Sequence, residues 1–484
     1  MKNLKRLNSN FVTRKVFYFI SIYFVLIINS SALMPRFDQN EYFYFGTKNL
    51  TEYSWIYPST HTIYFDKFIK ILNLNNSNFK LYFQIIFIAF TVKFLIQLLD
   101  DNYKNLNTNL LALLIFFNLF NQNIFGGEYI FKTLEPKTLA YLFLLISIVH
   151  LFKENYFVSS GAYMFVIYLH LGVAVNFALP FILYIIFKKQ FFNFIKLSLF
   201  PIFLTLPALI AFVFTYLESI DPILVTENIS SSKYLIKTRL DHHLYPFLFE
   251  NQNFQNLNPE MSSGINRFVL LMIIYFVILK YKSKLNTHLI EHIIFTNFLI
   301  LSQVIHLILI FLDPFSKWIL IHPLRINSFI LLLVLIIISR KLEIKNLFIN
   351  ITIVFLLFVN IYSFINNYIS ERNINDMTNK VYEYLVSVEP DYVLFPTSYS
   401  TSYWFDFEYK TGLSGYAHRK FNPFELKHVN NWTYRLDRIG KFYEGDCRVF
   451  NSLDNIYFID FDDENSCGDL VFFDKSFYIF KIKD

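Results

Sequence analysis

Five polar clusters carry the side chains that could do chemistry in this sequence. The first is Arg36-Phe37-Asp38-Gln39-Asn40-Glu41. Asp38 and Glu41 stand three residues apart, so a short helix would put both on one face. A carboxylate at a dry membrane boundary has a raised pKa and can serve as a general base. A solvated loop that opens a helix fits the same spacing. The second cluster runs from Gly126-Gly127-Glu128-Tyr129 to Leu134-Glu135-Pro136-Lys137. The glycines permit tight turning. Pro136 suits the first turn of a helix. Glu135 just before that turn is favoured by the helix macrodipole, so its place there has a structural reason as well as a functional one. The third is His170, at the apex of a short apolar hairpin. It is a candidate ligand contact or an ordinary interfacial histidine.

The fourth cluster is Lys237-Thr238-Arg239-Leu240-Asp241-His242-His243. Arg239 offers the planar fork that grips phosphate. Adjacent histidines point in different directions on any regular element, which argues against His242 and His243 sharing one metal. The fifth is Lys317-Trp318 followed by His322-Pro323-Leu324-Arg325. Arg325 can hold a lipid phosphate or snorkel to headgroups. No Gly-rich phosphate loop, HExxH or zinc-finger spacing occurs. A cytosolic nucleotide-driven reaction therefore has no support, and a donor would have to be available on the far side or within the membrane, which points to a lipid-linked one.

The elements that position these clusters are membrane spans. Of 484 residues, 55% are hydrophobic and only 17% are charged. That is too little charge for the surface of a soluble chain of this length. Apolar runs close to the length that crosses a bilayer occur at 16–28, 81–99, 108–125, 138–152, 157–170, 172–187, 193–217, 266–281, 289–312, 325–340 and 346–366. These predict about eleven transmembrane helices, with 157–187 as a tight hairpin. Ser30-Ser31-Ala32 resembles a signal-peptidase site, but an uncleaved anchor is the favoured reading of the first run.

The net charge of +6 is no nucleic-acid signal, because the cations sit in short connections between spans. Sixteen Lys and Arg fall in 1–15, 100–107, 153–155, 188–197, 280–287 and 340–345, against four in 126–137 and 313–325. The positive-inside rule then predicts a cytoplasmic N-terminus and an extracytoplasmic C-terminus. All five clusters fall on the outer side. The long outer loops 34–80 and 219–265 belong to a transmembrane domain, 1–366. A small α/β domain, 367–484, follows. It is predicted to hold a helix over 371–388, strands at 392–395 and 455–461, and a terminal hairpin over 470–481. Its Cys447 and Cys467 are the only cysteines. On the outer side they can form a disulfide that contributes about 3 kcal/mol; two unlinked buried thiols are the alternative.

The layout resembles the GT-C superfamily of membrane glycosyltransferases. Glu135-Pro136-Lys137 with Ala140-Tyr141, His170, Arg239-x-x-His242-His243-x-x-Pro246, Arg325 and Trp432-x-x-Arg435 resemble an uncharacterised bacterial GT-C-like family. The resemblance implies transfer of a sugar, with inversion, from a polyprenyl-phosphate donor to a glycan, lipid or protein acceptor at the outer face of a bacterial inner membrane. It makes Asp38 the base, with Glu41 its alternate. Glu128 and Glu135 would position the acceptor or a divalent metal (Mg or Mn). Arg239, His242 and Arg325 would hold phosphate, and Lys137, His170 and His243 would line the substrate site. The paired acids of many GT-C first loops are adjacent, whereas Gln39-Asn40 separates them here. A transporter or lipid flippase is the rival reading, carried by Asn176, Gln303 and His306 inside spans. A scaffold without activity is the third.

Overall fold

A computed structural model of the chain describes residues 2–30, 33–35, 77–99, 106–119, 130–131, 136–216, 223, 230, 233, 259–281, 287–312, 323–341, 346–396, 403–404, 406–417, 429–463, 465–474 and 477–483. It divides into two compact units. The first comprises Met1–Leu33, Leu81–Ala211 and Ser232–Phe364. The second comprises Met34–Lys80, Phe212–Ser231 and Ile365–Asp484.

The first unit is helical. Its helices are α1 (Lys2–Asn29), α2 (Ser77–Leu99), α3 (Leu106–Leu119), α4 (Pro136–Phe152), α5 (Tyr156–Leu169), α6 (Leu171–Phe187), α7 (Phe191–Tyr216), α8 (Pro259–Tyr281), α9 (Thr287–Leu312), α10 (Ile326–Lys341) and the first half of α11 (Asn346–Val388). Among the described residues, four stretches, Leu81–Leu99, Phe191–Ile210, Leu289–Ile310 and Asn346–Val388, are long and apolar enough to cross a membrane. Leu106–Asn118, Pro136–Phe152, Tyr156–Leu169 and Leu171–Phe187 are apolar but shorter. Length and composition thus support four of the eleven predicted spans outright.

α4 and α5 form an antiparallel pair. The turn between them uses Glu154 at φ 55, a left-handed conformation uncommon for a residue with a Cβ. Asn155 caps α5 by accepting from the Val158 amide at 3.4 Å. Ser147 and Ser159 each donate to the other's carbonyl, at 2.8 and 2.9 Å. Small hydroxyl residues let two apolar helices approach closely while satisfying their own polar groups. α10, Ile326–Lys341, is apolar nearly all round and is buried at every residue except Arg340, as a helix surrounded by others must be.

At one end of the bundle, polar locks join helices. Glu291 of α9 accepts from the Tyr184 hydroxyl and pairs with Lys188 at 2.6 Å, both beside α6. Asn109 of α3 donates to the Tyr18 hydroxyl of α1 and accepts from Arg340 Nε of α10 at 3.3 Å.

α11 departs from expectation. A span over 346–366 and a separate helix over 371–388 are one continuous helix, Asn346–Val388. The stretch contains neither Gly nor Pro, so nothing in the backbone interrupts it. It stops where Pro390 removes an amide and restricts Glu389.

The second unit carries a four-stranded sheet of order β1-β2-β4-β3, with β1 (Tyr392–Leu394), β2 (Ile456–Asp460), β3 (Gly468–Asp474) and β4 (Phe477–Ile482). β1 runs parallel to β2, and the other pairs are antiparallel. β2 is apolar at successive positions because both of its faces are covered. Tyr457 and Ile459 pack with Val381, Tyr382 and Leu385 of α11 and with Trp404 and Phe407. Ile456 and Phe458 pack with Ile439 and Phe442 of α13 (Val429–Tyr443) and with Tyr416 and Phe450. The short helix α12 (Phe407–Thr411) completes the unit. Cys447 and Cys467 are joined by a disulfide. Gly468 follows it at a place where a Cβ would lie 2.5 Å from the Phe458 ring and 2.8 Å from the Lys481 carbonyl.

Candidate functional site

Aromatic contacts fix how the helices of the first unit align. Phe295 of α9 meets Phe181 and Tyr184 of α6 at 5.6 and 5.9 Å. Tyr184 also reaches Glu291, so α6 and α9 are antiparallel. Phe177 meets Phe329 of α10 at 5.3 Å and Tyr141 of α4 at 6.4 Å. At 1.5 Å per residue, Asn176 lies about 8 Å above Phe181, Gln303 about 12 Å above Phe295, and Asn327 about 9 Å up by the Phe177–Phe329 contact. Three buried amides therefore share one level, within roughly a helical turn. Lys137 and Arg325 fall at about the level of Gln303, and His170 and His306 a few ångström beyond.

Burial sets the energetics of this level. Asn176, Gln303, His306 and Asn327 are all buried in the mainly apolar helices α6, α9 and α10. Gln303 is 3% exposed, and both its amide nitrogen and its amide oxygen lack a hydrogen-bonding partner. Each such orphaned group costs about 1–3 kcal/mol. A buried side chain of this kind calls for an explanation, and a bound ligand is one that would supply the missing partners. His306 is held by Ser302, whose hydroxyl lies 3.4 Å from Nε2. Chemically, the level offers neutral amide, hydroxyl and imidazole groups, which suit a hydroxyl-rich ligand. Lys137 and Arg325, both half-buried, add positive charge suited to phosphate.

The residues singled out from sequence divide in two. Asp38, Glu41, Glu128, Glu135, Arg239, His242 and His243 lie outside the described residues. Lys137 sits at the second position of α4. Arg325 ends the 3-10 turn Pro323–Arg325 that leads into α10. His170 is the single residue between α5 and α6. Its amide donates to Val166 O at 2.8 Å, and its Nδ1 accepts from the Val173 amide at 3.2 Å. It therefore caps two helices. Asn327 escaped sequence reasoning because a polar residue at a helix start is routine. Among the described residues, no group of three or more His, Cys, Asp or Glu is arranged to hold a metal ion.

Trp432 and Arg435 lie in the second unit. Trp432 is buried. Arg435 donates to Tyr416 O at 3.1 Å and stacks on the Tyr416 ring at 5.0 Å. Arg438 stacks on Phe450 at 4.7 Å and donates to the Tyr416 hydroxyl at 2.7 Å. Burial raises the Tyr416 phenol above its usual range, and the two guanidinium groups oppose that shift. This motif thus has a packing role. In the same unit, buried Asp406 accepts from the Tyr382 hydroxyl at 2.8 Å and pairs with Lys410 at 2.9 Å.

No protein-family model, curated protein or solved structure matches this chain.

Proposed function

We propose that the chain is a GT-C-type membrane glycosyltransferase. It would move a sugar from a polyprenyl-phosphate donor to a glycan, lipid or protein acceptor at the outer face of a bacterial inner membrane. The observation that carries this reading is the unpartnered, buried amide of Gln303, at one level with Asn176, Asn327 and the cations Lys137 and Arg325. Neutral hydrogen-bonding groups beside positive charge match a sugar joined to a phosphate.

In this mechanism Asp38, with Glu41 its alternate, takes the proton of the acceptor hydroxyl. The acceptor oxygen attacks the anomeric carbon from the face opposite the leaving group. The bond from that carbon to the lipid phosphate oxygen breaks, and the configuration inverts. Arg325 and Lys137, with Arg239 and His242, take up the phosphate charge as it develops. The same buried amides also serve the rival reading, a transporter or flippase, since intramembrane polar residues mark solute pathways.

One variant set separates the two. Asp38→Asn, Glu41→Gln, Glu135→Gln and Gln303→Leu are expressed in place of the native protein, and cell-envelope glycolipids are profiled. Gln303→Leu removes two orphaned polar atoms, so its thermal stability stays level or rises while product falls at least about tenfold. Asp38→Asn abolishes product. Unchanged glycolipids in all four variants would sink the transferase. Solute or lipid flux that depends on Gln303 or His306, with glycolipids intact, would establish the transporter instead.

A further inference from the structure

A cleft of about 210 Å³ lies between α5, α6 and α7, and it belongs to none of the polar clusters. α7 is pinned to its neighbours at two places. Near one end Tyr156 meets the Phe194 ring at 5.7 Å, and its carbonyl accepts from Ser198 at 3.4 Å. Near the other end the Tyr168 hydroxyl donates to Leu204 O at 2.6 Å. Between these pins the helices part. Met164 and Ile167, Ala178 and Ile182, and Pro201 and Ile202 are among the lining residues. Pro201, which cannot complete the helix ladder, stands in the middle of the wall.

Four hydroxyl groups also line the cleft, and each donates to a backbone carbonyl. Ser159 bonds Ser147 O at 2.9 Å, Ser160 bonds Tyr156 O at 2.8 Å, Thr205 bonds Ile202 O at 2.6 Å, and Tyr163 bonds Ala174 O. The cleft therefore presents apolar surface.

We propose that this cleft binds one fatty-acyl chain of a bilayer phospholipid. It opens onto apolar surface: Ile182 is 46% exposed and Ile202 42%, with Phe165, Leu199 and Phe203 also exposed nearby in sequence. Phe191–Ile210 is long and apolar enough to cross a membrane, so hydrocarbon is the solvent at this surface. An empty cleft forfeits the dispersion contacts of its whole lining. A further transmembrane helix does not fit, since all the open space in the cleft is about 670 Å³ and a cylinder about 10 Å across needs on the order of 900 Å³ over the same length. A single chain does. The lining stretch Ser159–Ile167 rises about 12 Å along α5, close to the roughly 15 Å depth of one leaflet's hydrocarbon. The inference holds whether or not the chain transfers a sugar.

The test uses the full chain in nanodiscs of phosphatidylglycerol with a photoactivatable diazirine on the acyl chain, with labelled residues mapped by mass spectrometry. Held lipid labels Met164 and Ile167, which line the cleft, at least as strongly as the exposed, lipid-facing controls Phe157 and Phe200. Ala178→Phe, which fills the cleft, lowers labelling at Met164 and Ile167 several-fold and leaves the controls unchanged. Ile182→Trp narrows the rim at an exposed position, and it decides the matter if Ala178→Phe does not fold. Labelling at Met164 and Ile167 well below that of the controls overturns the proposal. So does labelling that a folded variant of either kind leaves unchanged. Displacement of the probe by undecaprenyl phosphate would also overturn it, by giving the cleft to an isoprenyl chain.

Discussion

Tyr443 shows how one buried side chain couples the second unit to pH. Its hydroxyl donates to Ile459 O at 2.7 Å and Leu394 O at 3.3 Å, tying α13 to two strands. Burial, with the nearby charge of Asp460, pushes the phenol well above its usual value of 10.0. The unfolded chain then loses this proton first as pH rises through about 10. Stability is whole below that pH and falls above it, by up to about 1.4 kcal/mol per pH unit for this one group. Tyr443→Phe should cost about 1 kcal/mol at neutral pH and flatten the alkaline decline without abolishing it, because burial also raises Tyr416. Urea unfolding followed by near-ultraviolet circular dichroism from pH 8 to 11.5 reads both effects; identical slopes for the two proteins would refute the coupling. None of this is legible in sequence, since tyrosines are too common here to single one out. Asn176, Gln303 and His306 are legible, because a polar residue inside an apolar run is conspicuous. His170 is legible as a candidate but not as a double cap, which depends on the backbone conformation of two helix ends.

Among elements, the strands follow from short apolar and aromatic runs and from the Pro, Gly and Asn near their ends. β1, β2 and the β3–β4 hairpin lie within two residues of their predicted ends. α13 was not predicted. Val429-Asn430-Asn431-Trp432-Thr433 opens it with residues of weak helix propensity, and only the spacing Val429, Trp432, Leu436, Ile439, Phe442 betrays its buried face. α11 was split in two because its composition turns polar near residue 370, whereas the backbone has no reason to break there. The disulfide ties the turn Cys447–Phe450 to the start of β3 across a sequence separation of 20 residues. Replacing both cysteines by serine should lower the stability of the second unit by about 3 kcal/mol. The denaturation midpoint of the oxidised protein, compared with dithiothreitol-treated and double-serine forms, measures this. If all three share one midpoint, the closure adds no stability.

At the scale of the whole molecule, the proposed sidedness draws on two arguments that use different residues. Lys and Arg concentrate in alternate connections, which the positive-inside rule assigns to the cytoplasm. Cys447 and Cys467 are paired, and disulfides persist in oxidising compartments outside the cytoplasm. Four helices long and apolar enough to cross do not by themselves fix the parity of eleven spans. Parity depends on the short helices, above all α5 and α6: if that hairpin counts as one span rather than two, the number changes by one and the C-terminus moves to the other side. Fusion reporters decide the point. Alkaline phosphatase after residue 484 should be active and a fluorescent protein there dark. The same reporters placed in the 153–155 turn should behave in the opposite way. A fluorescent C-terminal fusion would put the cysteines in a reducing compartment. It would also remove the sidedness on which the proposed outer-face chemistry of Asp38, Arg239 and Arg325 depends, so one measurement bears on the fold's stability and on its function together.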